Sequence, residues 1–125
     1  MKITTFKPMI VTKDAESVIS LFEALGFEKR HAPTVDIGTA MVTSTRMKNA
    51  DGFSIDIADV KTVPQDIAMI RMNVDNFEEA YDLLISHGFK NTRGETIDTK
   101  SNKSAGLVSP TGFRFDLCQH IKDHD

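Results

Sequence analysis

Asp14-AESVISLFEAL-Gly26-Phe27 and Asn76-FEEAYDLLISH-Gly88-Phe89 decide the fold, because they are the same sentence written twice. Each opens on an Asx residue, runs through an apolar stretch of helical period and closes on Gly-Phe. The offset is 62 residues at both ends (76 less 14, and 88 less 26). A second pair follows in the same order. Gly52-Phe53-Ser54-Ile55-Asp56-Ile57 and Gly112-Phe113-Arg114-Phe115-Asp116-Leu117 share the form Gly-Phe-x-[Ile/Phe]-Asp-[Ile/Leu] at an offset of 60 (112 less 52). Two motifs recurring in order at about half the chain length mark an internally duplicated module. The repeat places the modules at 1–62 and 63–125 of one domain.

Each module reads as strand, helix, then two or three strands. Residues 4–12 are β-branched and apolar, a strand in which Pro8 demands an edge or chain-end position because it cannot donate to a ladder. Asp14 suits a helix N-cap, and Val18, Leu21, Phe22 and Leu25 fall at i, i+3, i+4, i+7 to form the buried stripe. Gly26 stops that helix. Strands are expected at 27–32, 37–44 and 52–58. In the second module residues 67–73 form the first strand, and Asn76 caps a helix with Glu79 at capping-box spacing. Phe77, Ala80, Tyr81 and Leu84 form its stripe. Residues 91–105 are polar and read as a long mobile loop. Ser109-Pro110-Thr111-Gly112 suits a type I turn before a last strand at 113–119. Antiparallel strands with helices on one face define an α+β class.

Composition narrows the function. At 40% apolar and 26% charged residues, the chain falls in the globular range and not the disordered one. A net charge of −3 without clustered Lys and Arg argues against nucleic acid. No apolar run approaches membrane-spanning length, so no membrane partner is expected, and the N-terminus lacks a signal-peptide pattern. Cys118 is the single cysteine, so no intrachain disulfide forms, which fits a reducing cytoplasm. It reads as a small packed side chain.

The repeated βαβββ module resembles the vicinal oxygen chelate superfamily, which includes glyoxalase I, extradiol dioxygenases and bleomycin-resistance proteins. Leu21-Phe22-Glu23-Ala24-Leu25-Gly26-Phe27 is similar to its Phe-Tyr-x-x-Leu-Gly-Phe signature. Ser109-Pro110-Thr111-Gly112-Phe113-Arg114-Phe115-Asp116-Leu117 is similar to its Asp-Pro-Asp-Gly-Asn-x-Ile-Glu-Leu ending. The resemblance implies tandem modules forming a half-barrel or cup-shaped sheet with helices on the outer face, commonly as a homodimer. In metal-dependent members a His or similar ligand stands seven residues before each capping Asx, and a Glu stands on each last strand. Carried over, these positions are Lys7, Asp56, Met69 and Asp116. A protonated Lys has no lone pair and a thioether suits soft metals, so neither a metal nor another cofactor is expected.

Strand alternation then fills the cup. Arg114 and His120 share a face with Asp116, Ser54 shares one with Asp56, and Arg71 shares one with Met69. The expected ligand-binding set is Lys7, Ser54, Asp56, Met69, Arg71, Arg114 and Asp116. Lys7 is expected to replace the metal electrostatically against Asp56 and Asp116. Cations exceeding carboxylates three to two suit a small polar or anionic ligand between the modules. This leads to a metal-independent small-molecule binding protein like the bleomycin-resistance branch. Two alternatives stand beside it. One is a glyoxalase- or dioxygenase-like enzyme, a lyase or isomerase with an unconventional site and His120 as the candidate acid or base. The other is a protein-interaction module with a vestigial cup, in which the basic groups only neutralise the two Asp.

Overall fold

The structure is a computed structural model. It describes all residues except 33, 37–40, 95, 99–101 and 121–125, and of residues 34–36 and 41 only the backbone. The chain divides into two compact units. The leading unit is Lys7–Ala68, and the trailing unit joins Met1–Phe6 to Met69–Asp125.

The leading unit takes the end of β1 (Ile3–Thr12), then α1 (Ala15–Ala24), β2 (Glu28–His31), β3 (Thr34–Asp36), β4 (Met41–Lys48) and β5 (Ser54–Asp59). Its strands run in the order β2-β4-β5-β1, with β3 also on β4. β1 and β5 are parallel, Met9 facing Asp56, and the other pairs are antiparallel. The registered run begins at Met9, so Pro8 stands just outside that ladder. A parallel pair needs a crossover, which α1 supplies.

The trailing unit repeats this plan with β6 (Ile67–Val74), α2 (Phe77–Ser86), β7 (Lys90–Asn91), β8 (Ile97–Asp98), β9 (Asn102–Val108) and β10 (Arg114–His120). The order is β7-β9-β10-β6, with β8 also on β9. Here β6 and β10 are the parallel pair, with Arg71 facing Asp116. Met9–Asp56 and Arg71–Asp116 are thus equivalent pairs, as the 62- and 60-residue offsets require. The fold is α+β, built from tandem βαβββ modules.

Both helices start where the sequence places them. Asp14 accepts from the Ser17 backbone N–H at 3.3 Å and from its hydroxyl at 2.7 Å. Those two bonds hold the Asp14 carboxyl below its ordinary pKa. Asn76 Oδ1 accepts from the Glu79 N–H at 3.1 Å. The Glu79 carboxylate is taken by the N-terminal ammonium at 3.1 Å. Together with the Lys2 N–H on Asp75 Oδ1, that contact ties the first residues to the start of α2.

The buried stripe of α1 differs from the expected one. Ala15, Val18, Ile19 and Phe22 pack on Met47, Ile55 and Ile57, whereas Leu21 and Leu25 are 55% and 61% exposed. Both sets fit a 3.6-residue period, and Ile19 shifts the apolar arc by about one position. In α2 the expected residues do face the core: Phe77, Ala80, Tyr81 and Leu84 pack with Met72, Val74, Leu107 and Leu117.

One further expectation is corrected. Residues 91–105 are not one long loop: β8 and the start of β9 pair within them, Ile97 opposite Ser104 and Asp98 opposite Lys103. Lys103 also pairs with Glu78 at the start of α2, where an acidic group suits the helix end. Of the strand expected at 37–44, residues 41–44 belong to β4, and positions 37–40 lie outside the described residues.

The turns before β5 and β10 carry a repeat that the Gly-Phe motif only hints at. Asn49 Oδ1 accepts from the N–H groups of Asp51 and Phe53 at 3.1 and 2.9 Å. Ser109 Oγ, 60 residues later, accepts from Thr111, Gly112 and Phe113 at 3.2, 3.0 and 3.1 Å. Each polar side chain satisfies donors that the tight turn would leave open. Gly52 and Gly112 sit at φ of 89° and 110°, which a side chain would strain. The second turn sets Phe113 against Phe89 and Phe115, ring centroids 5.4 and 5.8 Å away.

Candidate functional site

Strand alternation gives each sheet one face for its helix and one polar face. On β5, Ile55 and Ile57 turn to α1, so Asp56 is on the other side. On β10, Leu117 turns to α2, so Asp116 and Cys118 are on the other side. These polar faces hold most of the residues singled out by the sequence.

In the leading unit, Lys7 Nζ lies 2.9 Å from Asp56 Oδ1, with the two side chains 14% and 6% exposed. Asp56 Oδ1 has no aligned hydrogen bond, so this contact is an ion pair by distance and charge and not a directed bond. Desolvating a carboxylate this far is costly unless a cation accompanies it, and Lys7 is that cation. Ser54 is half-buried two residues before Asp56, opposite Lys48. The sequence missed Arg46, which faces Asp56 directly from β4. Its signal was legible only after β4 and β5 had been registered.

In the trailing unit, Arg71 Nε lies 3.9 Å from Asp116 Oδ2, with side chains 15% and 22% exposed. So the two carboxylates have separate cationic partners here, Lys7 for Asp56 and Arg71 for Asp116. Met69 stands half-buried two residues before Arg71, and Arg114 two residues before Asp116, opposite Val108. His120 ends β10, exposed, opposite Asn102. Asn73 and Cys118 face each other across β6 and β10. Asn73 is buried, and its Oδ1 has no hydrogen-bond partner among the described residues. The Cys118 thiol donates to Asn102 Oδ1 at 2.8 Å.

Burial pushes the Cys118 pKa up, and the negative charge of Asp116 adds to the shift, while Arg71 opposes it. A thiol 1% exposed and held protonated is a poor nucleophile. Native protein is therefore expected to react with a maleimide or iodoacetamide far more slowly than urea-unfolded protein at the same pH. Equal rates in the two states would refute this.

The metal positions can be tested against these contacts. Asp56 is occupied by an ammonium that cannot ligate, and the equivalent of Lys7 is the thioether of Met69. Among the described residues no three His, Cys, Asp or Glu side chains cluster as a metal would need. The donor set does not fit a divalent transition metal of the kind the fold family uses.

No protein-family model and no curated protein matches the sequence. Solved structures are similar to it in fold. Glyoxalase I from Zea mays aligns with a TM-score of 0.68 and 14% identity, covering 98% of this chain and 45% of that one. A glyoxalase/bleomycin resistance protein/dioxygenase superfamily member from Vibrio splendidus 12B01 aligns with a TM-score of 0.58 and 16% identity, covering 96% and 100%. A mutant 4-hydroxymandelate synthase from Streptomyces coelicolor gives 0.53 and 13%, covering 95% of this chain and 48% of that one. The chain therefore spans less than half of the maize enzyme. With its tandem βαβββ modules, it shares the fold of these structures, the vicinal oxygen chelate fold. No helix among the described residues is long and apolar enough to cross a membrane.

Proposed function

We propose that the protein binds a small polar or anionic molecule without a metal, in the manner of the bleomycin-resistance branch of its fold. The observation that carries this reading is the pairing of each motif carboxylate with its own cation, Lys7 with Asp56 and Arg71 with Asp116. A metal-dependent site needs those carboxylates as ligands, whereas here they hold ammonium and guanidinium groups on the polar sheet faces. Such cations recognise polar or anionic ligands through charge-assisted hydrogen bonds. Asn73 Oδ1, buried and without a described partner, supplies an acceptor for a ligand N–H or O–H. Met69 gives the same face an adaptable apolar wall. A cytoplasmic homodimer is part of the proposal. The fold resemblance supports the dimer, and the single buried thiol supports the reducing compartment.

Thermal-shift screening tests the proposal, with one arm of divalent transition metals and one of polar metabolites and antibiotics. A binder at a hundredfold its Kd should stabilise the protein by about 2.7 kcal/mol. Arg71→Gln should remove the response to that binder, and a chelator should leave it unchanged. Stabilisation by a transition metal alone, with close to one metal per chain by elemental analysis, would overturn the reading in favour of a metal-dependent enzyme.

A further inference from the structure

A concavity of about 560 Å³ opens in the leading unit, lined by Arg30, Arg46, Lys48 and the turn residues Asn49, Ala50, Asp51 and Gly52. We propose that it binds a small polyanion, one carrying phosphate or several carboxylates. The proposal is for a second small-molecule site, in the leading unit, and does not depend on the Arg71 and Asn73 face.

Charge comes first. Three cations and one carboxylate, Asp51, line the concavity, in a chain whose overall charge is −3. Positive charge is thus concentrated here against the trend of the whole molecule. Arg46 and Lys48 alternate onto the same face of β4, and like charges so placed repel. Their cross-strand neighbours relieve little of this. Arg46 faces Asp56, which holds Lys7 at 2.9 Å, and Lys48 faces Ser54 on one side and Glu28 on the other. Glu28 reaches Arg30 only at 4.0 Å, with both side chains largely exposed, a contact of little strength. Among the described residues no ion pair is formed by Arg46 or Lys48.

Shape comes second. Ladder register shifts between Lys29 and His31, and Arg30 lies within that irregularity. Bulges of this kind re-aim a side chain, and Arg30 joins the lining beside Arg46. The opposite wall is a turn fixed by Asn49, whose side chain takes two N–H groups while its carbonyl accepts from Gly52 at 3.1 Å. Two guanidinium forks and an ammonium on a rigid frame match the oxygens of a phosphate or carboxylate. The volume lies within the range of small-molecule sites.

An NMR titration of the full chain with pyrophosphate, with citrate and with sodium chloride at matched ionic strength tests this. Saturable shifts at the amides of Arg30, Arg46, Lys48 and Gly52 are expected with pyrophosphate, citrate or both. The responding arm tells phosphate from carboxylate recognition. The exposed positions allow Arg46→Gln/Lys48→Gln and Arg30→Gln to fold normally. The double variant should bind at least about tenfold more weakly, as loss of charge-assisted bonds predicts. Shifts no larger than those with chloride, or equal affinity in the double variant, would overturn the proposal. A screening hit abolished by Arg71→Gln, together with no saturable shift from pyrophosphate or citrate, would leave the small-molecule reading standing and remove this one.

Discussion

Replacing Lys7 with methionine is expected to cost about 3–5 kcal/mol of folding stability, the penalty for breaking a buried ion pair on one side. The Asp56 carboxylate is 6% exposed, and Lys7 Nζ stands 2.9 Å from it. Methionine fills much of the lysine stem's volume, so the loss is one of charge and not of packing. The lower end of the range is the better expectation because the Lys7 side chain, 14% exposed, leaves the carboxylate some access to water. A second substitution separates the pair from its parts. Asp56→Leu in the Lys7→Met background should recover most of the loss, because an apolar pair of similar size removes the buried charge altogether. Urea unfolding of the wild type and of both single and double variants measures this. A Lys7→Met variant within about 0.5 kcal/mol of wild type, the range of an ordinary surface substitution, would show that the pair is solvated in solution.

The repeat made the fold legible, because two copies of one module must agree in every element. Asp14 and Asn76 both cap helices, and β5 and β10 both pair in parallel with the first strand of their module. Legibility failed where local signals were balanced. In α1, Ile19 and Leu21 flank Val18 and Phe22 on opposite sides, and only the Met47–Ile55–Ile57 surface beneath decides for Ile19. In residues 91–105 polar composition hid a strand pairing. Ladder hydrogen bonds come from the backbone, so Asn102, Lys103 and Ser104 pair as well as apolar residues would.

The candidate site was legible along each strand but not across strands. Alternation by two put Arg71 with Met69 and Arg114 with Asp116 from sequence alone. The register of β4 on β5 is a tertiary fact, and it is what brings Arg46 to Asp56 and Lys48 to Ser54. The irregularity at Arg30 has no composition signal of its own, because it is set by how the short β2 meets β4. The cation that serves Asp116 was equally hidden: three basic residues were candidates, and pairing of β6 with β10 selects Arg71.

Leu117→Ala should cost about 2–5 kcal/mol, the range for removing a buried leucine side chain. Leu117 is 0% exposed and packs with Leu107, Met72 and Phe77 under α2. Its neighbour Asp116 faces the opposite way, with 22% of its side chain exposed and Arg71 at 3.9 Å. Asp116→Ala should therefore cost less, about 1 kcal/mol, since the longer contact and partial hydration weaken the ion pair. The order of the two losses tests the register of β10. A slip by one residue would carry Asp116 to the core side and Leu117 to the polar face, and the order would invert. Denaturant unfolding reads both variants, and Leu117→Ala should lower the midpoint with little change in the denaturant slope. Asp116→Ala proving the more damaging would place the carboxylate, and not the leucine, against α2. That result would remove Asp116 from the polar face on which Arg71 and Asn73 are proposed to meet a ligand.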